Sequence, residues 1–208
     1  MKKYLTEFIG TFFLVFTIGM TVIQPGAGVL APLAIGSALM IMIYAGGHVS
    51  GGHYNPAVTL AVWLRGRCPT SDLAPYWVAQ IAGSFIASMM ALLLKGNPIV
   101  FPMQMNGFHA LIAEFAGTFA LGYVVLNVAT AKATAGNSYY GMAIGITVMT
   151  MAFGLGGLSG GAFNPAVATG FVVMHMVNAS AFWVYLIGNF AGGATAAMAF
   201  KFMNPEDK

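Results

Sequence analysis

Charge is almost missing from this chain. Asp, Glu, Lys and Arg together make up 6% of its 208 residues, against 59% hydrophobic residues. A water-soluble domain of this size carries several times more charge, because its surface must be solvated, so the outer surface of this one must meet lipid. Cysteine is nearly absent too. Cys68 stands alone, which excludes an intramolecular disulfide and any metal site built from several cysteines. The net charge of +3 is small and scattered, and gives no reason to expect nucleic acid as a partner. No nucleophile–base arrangement, metal-ligand spacing or cofactor motif appears, so an enzyme is not entertained.

Long apolar runs and glycine are what the chain has in quantity. The 27 glycines suit helices packed closely through small residues. A helix needs about 20 mostly apolar residues to cross the hydrocarbon. Six stretches qualify, at about Tyr4–Gln24, Leu30–His48, Leu73–Leu94, Phe108–Ala129, Tyr139–Gly157 and Ala179–Phe202. The first follows Lys2 and Lys3 but runs on too far for a cleavable signal, and is read as a retained helix. Two further pieces, Asn55–Leu64 and Asn164–Met174, are too short to span. At about 1.5 Å per residue each reaches only halfway across, which predicts re-entrant half-helices surrounded by protein or by a water-filled cavity.

The chain repeats itself. Glu7-Phe8-Ile9-Gly10-Thr11-Phe12 returns as Glu114-Phe115-Ala116-Gly117-Thr118-Phe119. Ser50-Gly51-Gly52 with Asn55-Pro56-Ala57-Val58 returns as Ser159-Gly160-Gly161 with Asn164-Pro165-Ala166-Val167, and the two asparagines lie 109 positions apart. Trp77-Val78 is echoed by Trp183-Val184. One all-α membrane domain, 1–208, therefore holds two repeats of about 1–100 and 107–208. Each repeat has three spans and one half-helix. Three is odd, so the second repeat enters the membrane inverted, and such repeats place their functional site near the midplane. With the N-terminus in the cytoplasm, Lys2, Lys3, Arg65, Arg67, Lys132, Lys201 and Lys208 fall inside and only Lys95 outside, as the positive-inside rule requires.

Helix-end chemistry explains Asn-Pro-Ala. Proline fits the first helical turn, where its missing N–H is no loss. Asparagine before it is an N-cap whose side-chain oxygen takes a helix-start N–H, leaving the amide NH₂ to point into a cavity. Two half-helices entering from opposite faces bring their positive N-terminal ends together at the centre. A neutral molecule with a lone pair is welcome between Asn55 and Asn164, and a cation is repelled. The approaches Gly51-Gly52-His53-Tyr54 and Gly160-Gly161-Ala162-Phe163 are expected to be extended and to line the tube with carbonyl oxygens.

These two Asn-Pro-Ala boxes, the two Glu-Phe-x-Gly-Thr-Phe starts and the length resemble the aquaporin (major intrinsic protein) family over essentially the whole chain, and Gly47–Thr59 is particularly similar to bacterial water channels. The resemblance implies a homotetramer with one pore per subunit, in the cell membrane. It implies a passage for water, with Asn55, Pro56, Ala57, Asn164, Pro165 and Ala166 at its central constriction. It also implies a second, outer filter of four side chains, which alignment on the motifs places at Ile35, Ala152, Gly161 and Val167. Here the chain departs from its relatives, most of which carry arginine where Val167 stands. Strict water channels usually add an aromatic and a histidine. Ile, Ala, Gly and Val make a wider apolar ring, open to glycerol, urea, ammonia or hydrogen peroxide. The outer loop, about Lys95–Gly107, is short, and in relatives a longer one helps hold that arginine. Phe101, Met103 or Met105 folding inward would refill the filter and restore strict water selectivity. A secondary transporter and a closed-pore structural protein are the remaining alternatives.

Glu7 and Glu114 are the acids inside spans, which makes them functional suspects. Their equivalent places in the two repeats favour a structural task, accepting hydrogen bonds from the re-entrant backbone, over proton coupling. His48 and His53 flank the first glycine segment, where packing and hydrogen bonding compete with pH gating. His109 and His175 show no ligand spacing, and no metal is expected. Cys68 is read as an incidental thiol, away from the outer filter. Trp63, Trp77 and Trp183 suit interfacial anchoring or subunit contacts. Asn178-Ala179-Ser180 matches a glycosylation acceptor close to the membrane.

Overall fold

The computed structural model describes residues 1–207; Lys208, counted above among the basic residues on one side, lies outside the described residues. Among the described residues every regular element is helical. Eight α-helices follow one another: α1 (Lys2–Val22), α2 (Ala31–Ser50), α3 (Pro56–Leu64), α4 (Thr70–Leu94), α5 (Gly107–Ala129), α6 (Tyr140–Ser159), α7 (Pro165–Val173) and α8 (Phe182–Met203). Helices α3 and α7 have nine residues each and the other six have 20 to 25. Five of the long ones, α1, α2, α4, α5 and α6, are long and apolar enough to cross a membrane. Helix α8 is as long, with Asn189 and Lys201 set among mostly apolar residues.

Local chemistry sets the boundaries. Asn106 caps α5 by accepting from the N–H groups of Phe108 and His109 at 3.1 and 3.0 Å. Helix α2 ends at Gly51 (φ 90°) and α6 at Gly160 (φ 86°), left-handed conformations that only glycine adopts without steric cost. The chain then turns back into the bundle instead of leaving it.

The repeats pack as halves of a pseudo-twofold. Helix α1 lies along α4, α5 along α8, and α2 crosses α6 between the halves. At that crossing Gly36 and Gly145, 109 positions apart, oppose each other, and a β-carbon on either would fall within 2.6 Å of the other's carbonyl oxygen. The face carrying both termini is tied by Lys3 and Tyr4, which donate to the carboxylate of Asp72 at 2.5 and 2.9 Å. On the same face Arg65, buried at the end of α3, bonds Asp207 at 2.6 Å and stacks on Phe200. On the far face, the ammonium of Lys95 donates to the carbonyls of Ile23 (2.9 Å) and Pro25.

The paired half-helices and their pore

The first turns of α3 and α7 are built alike. Asn55 Oδ1 accepts from Ala57 N at 2.8 Å and Val58 N at 3.4 Å. Asn164 Oδ1 accepts from Ala166 N at 2.9 Å and Val167 N at 3.4 Å. Pro56 and Pro165 occupy the first helical position. The amides do more than cap. Asn55 Nδ2 donates to the carbonyl of Phe163 at 2.8 Å, and Asn164 Nδ2 donates to that of Tyr54 at 2.9 Å. From the sequence alone the amide NH₂ is expected to point into the cavity. One N–H of each amide instead fastens the opposite repeat, and the second is the donor left for a permeant.

The segments before the asparagines are held by the buried acids. Glu7 accepts from Ser50 Oγ (2.7 Å), His53 N (3.0 Å), Tyr54 N (2.6 Å) and Gln80 Nε2 (2.8 Å). Glu114 accepts from Ser159 Oγ (2.6 Å), Ala162 N (2.9 Å) and Phe163 N (2.7 Å). Both are fully buried. Tyr54 and Phe163 adopt positive φ, 48° and 47°, a conformation costing a non-glycine residue about 1–2 kcal/mol. The bonds from their N–H groups to the carboxylates hold them there. Their rings lie against Gly10 and Gly117, where a β-carbon would come within 2.1 and 2.3 Å of ring carbons. The recurring Glu-Phe-x-Gly-Thr-Phe start thus supplies an anchor for the re-entrant backbone and, three residues on, a recess for its aromatic ring.

Four residues outside the motifs complete this support. Tyr76 and Tyr185 donate their hydroxyls to the carbonyls of Ser50 (2.7 Å) and Ser159 (2.6 Å). One turn further along, Gln80 reaches Glu7, and Asn189 accepts from Thr118 at 2.9 Å. Each pair is separated by 109 positions, like the asparagines. The pairing of Trp77 with Trp183 is therefore three residues out of register. Trp77 donates to the carbonyl of Pro56 at 3.1 Å, clamping α4 to the start of α3, whereas Trp183 is half exposed. Trp63 donates to Thr70 at 3.0 Å.

Two cavities meet at this centre. One, of about 660 Å³, opens on the far face; the other, of about 810 Å³, opens on the face of the termini. His53 and Val125 line both. The far-face cavity is bordered by Asn55 and Asn164, by Gly52, His53, Tyr54, Gly160 and Ala162, and by Ile35, Ala152, Gly161 and Val167. Among the described residues no Asp, Glu, Lys or Arg lines it. Gly51 borders the other cavity, with His48, Arg67, Cys68, Asp72 and Lys132. Phe163, grouped with the lining carbonyls on sequence, borders neither, because its ring is buried on Gly117 and its carbonyl receives Asn55.

Loop residues 98–101 and Met103 border the far-face cavity, and Met103 N donates to Met176 O at 2.9 Å. Met105 stays outside, its sulfur 3.7 Å from the Tyr185 hydroxyl. At the meeting point of the cavities, Thr59 Oγ1 donates to Asn55 O (2.9 Å) and sits 3.1 Å from His53 Nδ1. The thiol of Cys68 is buried, and burial pushes its pKa up.

The comparisons agree with this geometry. The profile of the family described as Major intrinsic protein matches residues 1–200. Glycerol uptake facilitator protein-like 6 of Lactiplantibacillus plantarum is 37% identical over 218 residues, covering 100% of both chains. Aquaporin NIP1-4 of Oryza sativa is 37% identical over 212 residues, covering 96% of this chain and 76% of the relative, and Aquaporin AqpM of Methanothermobacter thermautotrophicus is 32% identical over 242 residues, covering 99% and 98%. In fold, the aquaglyceroporin from Plasmodium falciparum superposes with a TM-score of 0.79 at 20% identity, covering 98% of this chain and 97% of that one. With two inverted half-helices meeting at paired asparagines, and a family match over nearly its whole length, this chain belongs to the major intrinsic protein family and is a passive membrane channel.

Proposed function

We propose that the channel conducts water together with small neutral solutes such as glycerol, urea, ammonia and hydrogen peroxide, and excludes ions and protons. The observation that carries this reading is the lining of the far-face cavity. Ile35, Ala152, Gly161 and Val167 border it with no charged side chain among the described residues, so polar contacts come from backbone carbonyls, the two asparagine amides and the His53 and Gln24 side chains. A neutral solute with hydroxyl or amine groups exchanges its water for these acceptors and donors. An ion finds no opposite charge to offset its desolvation. The N-terminal ends of α3 and α7 add a positive potential that opposes hydronium.

The basic residues of the termini face, including Lys2, Lys3, Arg65, Arg67 and Lys132, support a cytoplasmic location for that face, with the far-face cavity opening outward. Family membership supports a homotetramer in the cell membrane. Strict water selectivity is the second reading, favoured by Phe101 and Met103, which border the same cavity from the loop.

Stopped-flow light scattering on proteoliposomes separates the two. Water and glycerol both permeating well above protein-free vesicles is the expected result. Fast water with background glycerol would establish the second reading, and background rates for every solute would overturn both.

A further inference from the structure

Nothing in conduction calls for thioether side chains at the mouth of the pore, yet two stand there. Met103, from the loop before α5, and Met176, from the loop after α7, both border the far-face cavity and are joined through Met103 N and Met176 O at 2.9 Å. Both are partly exposed, among Val100, Phe101 and Val177. Met174, two residues before Met176, is by contrast completely buried, and Met105 lies outside the cavity with its sulfur at the Tyr185 hydroxyl. Two thioether residues therefore border the mouth by which a small polar solute enters from the far face.

We propose that Met103 and Met176 form an oxidation site, at which hydrogen peroxide entering the pore converts the thioethers to sulfoxides and narrows the passage. The proposal rests on the reading of this cavity as the conduction path for small neutral solutes. In the reaction a sulfur lone pair attacks one peroxide oxygen and forms the S–O bond as the O–O bond breaks. The other oxygen leaves as hydroxide and takes the remaining proton, departing as water. Sulfur is oxidised by two electrons and the peroxide is reduced. The product exchanges an apolar, flexible side chain for a polar one with a strong acceptor oxygen, and is reversible by methionine sulfoxide reductases.

The direction of the effect follows from the surroundings. The new S=O group has apolar neighbours in the wall, so it turns towards the water of the lumen, where it takes up room and binds solute hydroxyls. Passage of the larger solutes slows most. Peroxide would in this way limit its own route, and the block lasts until reduction.

The test is made on the full-length channel in proteoliposomes, exposed to hydrogen peroxide in the outer bath. Two readouts are taken: oxidation at each methionine by peptide mass spectrometry, and glycerol permeability relative to the same preparation before treatment. Met103 and Met176 are expected to gain one oxygen far ahead of Met174, with a severalfold fall in the glycerol rate that methionine sulfoxide reductases reverse. Met103→Leu/Met176→Leu, a volume-conserving exchange, is expected to keep its own untreated rate after the same exposure; each single variant serves if the double one fails to assemble. Oxidation of Met174 as fast as Met176, or complete oxidation of both mouth methionines with no change in rate, would overturn the proposal. Should untreated wild type conduct no glycerol, the function reading fails, while the mass readout still decides whether the site exists.

Discussion

The side chain of Asn55 holds the backbone of the other repeat: its amide donates to the carbonyl of Phe163 at 2.8 Å while its oxygen caps α3. Asn164 reciprocates on Tyr54. Each asparagine thus positions both half-helices. Asn164→Ala removes the cap, worth about 1 kcal/mol, and leaves the buried Tyr54 carbonyl without its donor, about 1–3 kcal/mol more. A fall in thermal unfolding temperature and loss of water permeability are the expected outcomes. Asn164→Asp keeps the cap but faces an acceptor to a carbonyl, so it should lose permeability as well. Full conduction by the Asp variant would show that the bond between repeats is dispensable.

Glu114→Gln tests the acids. The carboxylate takes three donors, from Ser159, Ala162 and Phe163. A glutamine offers one acceptor oxygen and turns an NH₂ group towards at least one of those donors. Destabilisation of about 1–3 kcal/mol is expected for each unsatisfied group. Glu7→Gln should be at least as harmful, since Glu7 also accepts from Gln80. The loss is expected in thermal stability of the purified protein, with solute flux remaining strictly downhill in both variants. Uphill transport driven by a proton gradient in wild type, abolished by either change, would restore the coupled-transporter alternative.

Val167→Arg addresses the wide filter. Val167 lies in the first turn of α7 and borders one cavity together with Gly161, Ile35 and Ala152. A guanidinium there brings five N–H donors and a fixed positive charge to an otherwise uncharged lining. Glycerol permeability is expected to drop by about tenfold, equivalent to about 1.4 kcal/mol of added barrier, and water permeability by much less. Equal losses of both in stopped-flow measurements would mean that this ring does not set solute size.

The spans and half-helices were legible because each rests on a local signal: a long apolar run, or a cap followed by proline. The anchors Glu7 and Glu114 were legible because charge is so scarce that two equivalent acids inside spans stand out. Tyr76, Tyr185, Gln80 and Asn189 are not legible in the same way, since they carry no charge and belong to no motif. The tryptophan echo also set α4 against α8 three residues out of register. Extending the 109-residue spacing of the asparagines into α8 reveals all four. The commitment of one N–H of Asn55 to Phe163 was not legible at all. It depends on how two segments more than 100 residues apart meet, which no local pattern encodes.

The tail after α8 supplies a pH-dependent contact on the face of the termini. Asp207 accepts from the backbone N–H of Lys132 at 2.8 Å and from Arg65 at 2.6 Å, with Arg67 3.6 Å away. The Lys132 N–H above all, then the Arg65 guanidinium, hold its carboxyl below the usual carboxylate range. A depressed folded-state value means that the contact contributes fully above the unfolded pKa, about 3.9, and is lost as pH falls through the folded value. Between pH 5 and 8, on the order of where carboxylates stay ionised, the tail should remain docked; in stronger acid it should release. Asp207→Asn is expected to release it at neutral pH, because a neutral amide weakens the pairing with Arg65. Hydrogen exchange at the Lys132 amide and limited proteolysis of the last residues check both. Unchanged exchange in Asp207→Asn at neutral pH would show that packing of the tail, and not its charge, keeps the 132 loop in place.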